Sequence, residues 1–121
     1  MAFTGKNPFK IMRQMWSVGG FEKQTLAGAL TLTHKSAQFL GLDPGGSGRT
    51  ITLPAPQEGA FFVIFNRADG AENLLIAQAD DSTTLVTINQ NEAALVYALD
   101  DKAAAAADGW EVMATWTIAL S

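Results

Sequence analysis

His34 is the single imidazole in this 121-residue chain, and cysteine is absent. With one ring and no thiolate, no histidine-based metal cluster, zinc knuckle or histidine dyad can be assembled. A Ser-His-Asp triad would have to use His34, and no GxSxG elbow presents a serine to it. A lone histidine between two strand-like runs reads as a surface or interface residue. The run Gly45-Gly46-Ser47-Gly48-Arg49-Thr50 has glycines in abundance. It lacks the GK[ST] ending and the following helix of a phosphate-binding loop. The paired acids Asp80-Asp81 and Asp100-Asp101 invite a calcium or glycosidase reading. Calcium takes about six to eight oxygens from spaced loop positions, and a glycosidase needs two carboxylates facing one cleft. Adjacent aspartates beside turns supply neither. The expectation is therefore a protein that is not an enzyme, with no catalytic, cofactor-binding or metal-binding residues.

The length fits one domain with a core of its own. The longest apolar runs fall well short of a membrane span, and the N-terminus MAFTGKNPFK carries no secretory leader pattern. The net charge of -4 conceals an asymmetry. Residues 1–23 hold Lys6, Lys10, Arg13 and Lys23 against Glu22 alone, while the remainder is strongly acidic. A basic arm on an acidic body suits docking onto a negative surface. Nucleic acid is the weaker partner, because the acidic body would repel phosphate.

The elements follow from periodicity. Phe9, Met12, Met15 and Trp16 fit one face of a short helix, with Asn7 as cap, Pro8 at the first helical position and Gly19-Gly20 as a stop. From Thr25 onward the pattern is β. Strand-like runs, alternating, β-branched or wholly apolar, cover 29–33, 36–40, 49–53, 60–66, 73–78, 84–88, 93–99 and 110–120, separated by turn residues. Gly41–Gly48 reads as a long polar loop, Asp69-Gly70 as a tight hairpin turn and Ala103–Ala107 as a small-residue loop. Trp110, Val112, Ala114, Trp116 and Ile118 are expected on one face of the last strand. The centre of the pattern is Thr50–Asn66, a strand, a corner built on Pro54, Pro56 and Gly59, and a strand apolar on both sides. It is expected to form a core hairpin, part of whose cover a neighbouring subunit would supply. The predicted fold is all-β: a compact antiparallel β-sandwich or barrel of about eight short strands over residues 25–121, preceded by an N-terminal arm over residues 1–24.

The same stretch carries a resemblance. Ile51-Thr52-Leu53-Pro54, then Gly59, then a Phe/Val/Ile strand ending at Asn66, resembles a β-module of tailed-bacteriophage structural proteins. In those proteins short strands and a late Gly-Trp follow; here Leu74–Ala77, Thr84–Ile88, Ala93–Leu99 and Gly109-Trp110 keep that order. The match spans about residues 25–117. Such modules occur in capsid decoration (cement) proteins and in tail-fibre or receptor-binding proteins. A single small module, a basic arm bearing aromatic residues and the lack of a repetitive shaft favour decoration. The resemblance implies a homotrimer at three-fold or quasi-three-fold positions on the outer surface of the expanded head, with the major capsid protein as partner and neither nucleic acid nor membrane. Position and composition make Phe3, Lys6, Phe9, Lys10, Met12, Arg13 and Trp16 the expected capsid contacts.

Overall fold

The computed structural model describes residues 20–80, 83–100 and 109–117. The arm residues Phe3 to Trp16, the alanine run and the end of the last expected strand lie outside the described residues, as does Asp81 of the first aspartate pair. Among the described residues there are nine strands and no helix. They are β1 (Phe21–Thr25), β2 (Leu30–Thr31), β3 (Phe39–Asp43), β4 (Arg49–Thr52), β5 (Phe61–Asn66), β6 (Leu74–Ala77), β7 (Thr84–Ile88), β8 (Glu92–Ala98) and β9 (Trp110–Thr117).

The strands form two sheets, one of five in the order β1-β3-β5-β8-β9 and one of four in the order β2-β4-β6-β7. From β1 to β6 the chain alternates between the sheets. Each strand returns beside and parallel to the one two before it, in the registers Phe21↔Phe39↔Val63 and Leu30↔Ile51↔Ile76. Parallel neighbours need a crossover rather than a tight turn, and here the opposite sheet supplies it. The result is a flattened coil of stacked rungs. β7 then reverses against β6, and β8 and β9 close the five-stranded sheet antiparallel. The core lies between the sheets, built from Leu40, Leu42, Phe62, Ile64 and Val96 of one and Ile51, Leu74, Ile76 and Ile88 of the other.

The all-β, two-sheet architecture agrees with the periodicity, and the pairing is mixed rather than antiparallel throughout. Two expected hairpins are crossovers. β4 and β5 lie in different sheets, so the Pro54/Pro56 corner carries the chain across the sandwich, and Asp69-Gly70 belongs to the return crossing from β5 to β6. Gly41, Leu42 and Asp43 are strand rather than loop, and Leu42 is wholly buried. The shared face expected along β9 is interrupted. Leu95 pairs with Ala114 while Val96 pairs with Val112, leaving Met113 as an extra residue. This bulge inverts the alternation. Trp110 and Val112 face the core, whereas Ala114 and Trp116 turn outward.

Two buried hydrogen-bonding side chains tie these crossings down. Trp110, 1% exposed, packs on Phe62 with ring centroids 5.8 Å apart and donates its indole N–H to the Pro54 carbonyl at 2.8 Å. A carbonyl at a proline corner has no ladder partner by default, and the indole supplies one. Asn66, fully buried, donates from Nδ2 to the carbonyls of Glu72 at 3.0 Å and Ile88 at 2.8 Å, and its Oδ1 accepts the Ala68 amide at 2.9 Å. It thereby satisfies both donors and holds the β5–β6 crossing against the end of β7.

The crossing from β3 to β4 is held as tightly. The Gly45 amide donates to Asp43 Oδ1 at 2.9 Å, the Gly46 amide to Glu72 Oε1 at 3.0 Å, and Arg49 Nε to the Pro44 carbonyl at 2.8 Å. Gly45 has φ +76°, and a Cβ there would run into the Leu26 carbonyl. Gly45→Ala is expected to lose about 2 kcal/mol or more through combined backbone strain and collision. Urea denaturation checks this as a lowered midpoint at unchanged slope. Trp110→Phe keeps most of the ring volume but strands the Pro54 carbonyl, and is expected to cost about 1–3 kcal/mol by the same measurement.

Candidate functional site

In a strand that covers one core, alternate residues face water and are polar. β5 departs from this. Phe62 and Ile64 point into the core, yet Phe61, Val63 and Phe65, on the opposite side, are equally apolar. Registers extend that second side across the five-stranded sheet. One row runs Phe21–Phe39–Val63–Leu95–Ala114, apolar in all five strands. The row beside it runs Lys23–Gly41–Phe65–Ala93–Trp116, and the row on the other side holds Phe61, Tyr97 and Glu111.

The aromatic rings of this outer face cover one another. Phe39 and Phe61 meet edge to face with centroids 6.3 Å apart, and Phe65 and Trp116 do the same at 6.4 Å. The second pair meets over Ala93, which lies between them in the register and is 1% exposed. Val63 at the centre is 8% exposed, whereas Phe21 and Trp116 on the edge strands reach 53% and 39%. At the β1 side, Gly41 lacks a Cβ, and the aliphatic part of Arg67 occupies the space: a Cβ would lie 2.8 Å from Arg67 Cδ and 3.4 Å from Phe21 Cζ. Lys23, Gln24, Thr25, Gly41, Asp43 and Arg67 line a shallow groove of about 230 Å³ at this edge.

Polar clusters elsewhere serve the fold. His34 Nε2 lies 2.6 Å from the Ala55 carbonyl, so this nitrogen carries the proton and donates, tying the β2–β3 turn to the proline corner. An open cleft of about 450 Å³ lies alongside, lined by His34, Lys35, Ser36, Gln38, Ala60, Phe61 and Phe62. Carboxylate oxygens of Asp43, Asp69 and Glu72 lie within 4.8 Å of one another. Asp43 and Glu72 already accept the amides of Gly45 and Gly46, so they act as loop anchors.

The seven arm residues expected to make partner contacts precede Gly20 and lie outside the described residues, so the structure neither gathers nor separates them. Sequence reading missed the outer aromatic face as a unit. Its signal was present in Phe61, Val63 and Phe65, a β5 apolar on both sides. Which residues extend the face depends on pairing with β1, β3, β8 and β9, and on the bulge that turns Trp116 outward. A comparison with protein-family models finds no match, and a comparison with curated proteins finds none either.

The Phe65–Trp116 contact gives a direct energetic check of the face. A double-mutant cycle with Phe65→Ala and Trp116→Ala is expected to give a coupling of about 0.5–1 kcal/mol in urea denaturation. Additive losses would mean that the rings touch without supporting each other.

Proposed function

We propose that this protein is a structural virion component that decorates and stabilises the outer surface of a tailed-phage capsid. On this reading it acts as a homotrimer at three-fold or quasi-three-fold sites of the expanded shell and attaches to the major capsid protein through its N-terminal arm. The observation that carries the proposal is the outer face of the five-stranded sheet. An apolar row across all five strands suits a molecule that holds surfaces together, since contiguous exposed apolar patches mark interaction sites. The resemblance of Ile51–Asn66 and Gly109-Trp110 to phage structural β-modules supplies the setting.

The mechanism is mechanical. A trimer presents three arms, so modest contacts sum to tight retention once the shell spacing matches. A protein that binds the expanded lattice alone stabilises that lattice by mass action. Neither nucleic acid, membrane nor cofactor enters, and no catalytic step is invoked.

A tail-fibre or receptor-binding module is the alternative. The cleft beside Phe61 favours it, because an aromatic wall with His34, Lys35 and Gln38 around it has the composition of a small polar ligand site.

The deciding experiment adds purified protein to heads that lack it and images the product. Density at the three-fold positions, a raised disruption temperature and loss of attachment on deletion of residues 1–20 are the expected results. Density at the tail, or none on the shell, would overturn the decoration reading.

A further inference from the structure

We infer that the cleft beside the β2–β3 turn is a binding site for an acidic sugar, a pyranose unit that carries a carboxylate. Its volume of about 450 Å³ falls within the range of small-molecule sites.

What the cleft can bind follows from which of its groups are already engaged. The turn is locked from within. The Ser36 amide donates to the Thr33 carbonyl at 3.0 Å, the Thr33 amide to Ser36 Oγ at 2.9 Å, and the Lys35 amide to Thr33 Oγ1 at 3.2 Å. The bond from His34 to the Ala55 carbonyl pins the same turn to the proline corner. On the far wall the Gln38 carbonyl accepts the Val63 amide at 2.7 Å, and the Ala60 amide and carbonyl bond to Gln57 and Ala98. The backbone of the rim is thus engaged, and its shape is set before any ligand arrives. Side chains are left to meet the ligand. The Lys35 ammonium, the Ser36 hydroxyl proton and the Gln38 amide have no partner among the described residues.

Three features select the ligand class. Phe61 is half-buried and held edge to face by Phe39 at 6.3 Å, and with Ala60 it forms an apolar wall. Such a wall suits the C–H face of a sugar ring, whose partial positive charge an aromatic face attracts. Gln38 offers a donor and an acceptor and Ser36 a further donor, which complement neighbouring hydroxyls that both give and accept. Lys35 is an exposed cation on a chain of net charge -4, so it marks the cleft for a negative group. Phosphate is the poorer match, because phosphate sites draw on free backbone amides or a guanidinium fork. The amides of Lys35 and Ser36 are both taken, and among the described residues no arginine lines the cleft. A carboxylate is served by one ammonium and one hydroxyl.

The site goes beyond the decoration reading and draws on neither a shell nor a tail setting. It leaves the outer aromatic face open, since among the described residues only Phe61 belongs to both.

The test is a titration of the full chain, followed by amide chemical shifts. The probes are the methyl glycosides of glucuronic acid, galacturonic acid and N-acetylneuraminic acid, each beside its uncharged methyl ester. At least one acid is expected to give saturable shifts grouped at residues 34–38 and 60–62, with its ester about tenfold weaker. Lys35→Gln, a change on an exposed turn, is expected to bring acid and ester to equal affinity. A short oligosaccharide of the binding unit that outperforms the unit marks a glycan chain as the ligand; equal affinity marks the free sugar. Absence of saturable shifts with all three acids, shifts centred elsewhere, or equal affinity for acid and ester in the unaltered chain would overturn the inference. Tighter binding of glucose 6-phosphate than of any of the acids would overturn it in favour of a phosphate site. None of these titrations involves heads, so their failure is distinct from a failure of the decoration reading.

Discussion

The hydrogen bond from the Trp110 indole to the Pro54 carbonyl joins the two ends of the folding problem. Pro54 stands where the chain leaves the four-stranded sheet, and Trp110 begins the strand that completes the five-stranded one. Neither sheet is closed by its own ladder. The indole fixes the crossing that must be correct for β5 to lie between β3 and β8, and its ring fills the core against Phe62. Asn66 plays the matching part at the other end of β5. Together they hold both exits of the central strand with buried polar groups that have no alternative partner in water. That is why one strand can be apolar on both sides without its position slipping.

This sharpens what the phage-module resemblance rests on. The residues that carry it are Leu53-Pro54, Gly59, Asn66 and Gly109-Trp110. Pro54, Asn66 and Trp110 make the hydrogen bonds that build the crossings, and the motif is therefore a description of architecture. Chains with quite different tasks can share such a frame. The features available for a specific task lie elsewhere, on the outer face of the five-stranded sheet and in the basic segment that precedes it.

Much of the β pattern was legible because period-two alternation survives tertiary context. β7 runs over Thr84–Ile88 and β5 ends at Asn66, as the apolar and β-branched runs and the turn residues beside them indicate. Strand direction was not legible, since parallel and antiparallel strands share the same period. What decides direction is where the intervening chain crosses, and a proline corner reads the same at a hairpin and at a crossover. β3 was hidden because Gly41, Asp43 and Pro44 look like turn residues. Gly41 leaves room there for the aliphatic part of Arg67, and the inward pair Leu40 and Leu42 carried the true alternation. The bulge at Met113 left no compositional mark, so the outward turn of Trp116, and with it the extent of the aromatic face, emerged only from the register.

The coiled path from β1 to β6 has a consequence for how the chain acquires its shape. No strand from β1 to β5 pairs with its immediate successor in sequence, and each of β1 to β4 waits for the strand after next. The β6–β7 pair closes the shortest loop, while among the described residues β1 and β2 each pair along one edge alone. Contacts between distant positions slow folding, because closure entropy is spent before burial repays it. The molecule is thus expected to organise from its later half backward, with the first rung settling onto a surface already formed. The N-terminal strands β1 and β2 are therefore expected to gain their order only once β3 and β4 are in place.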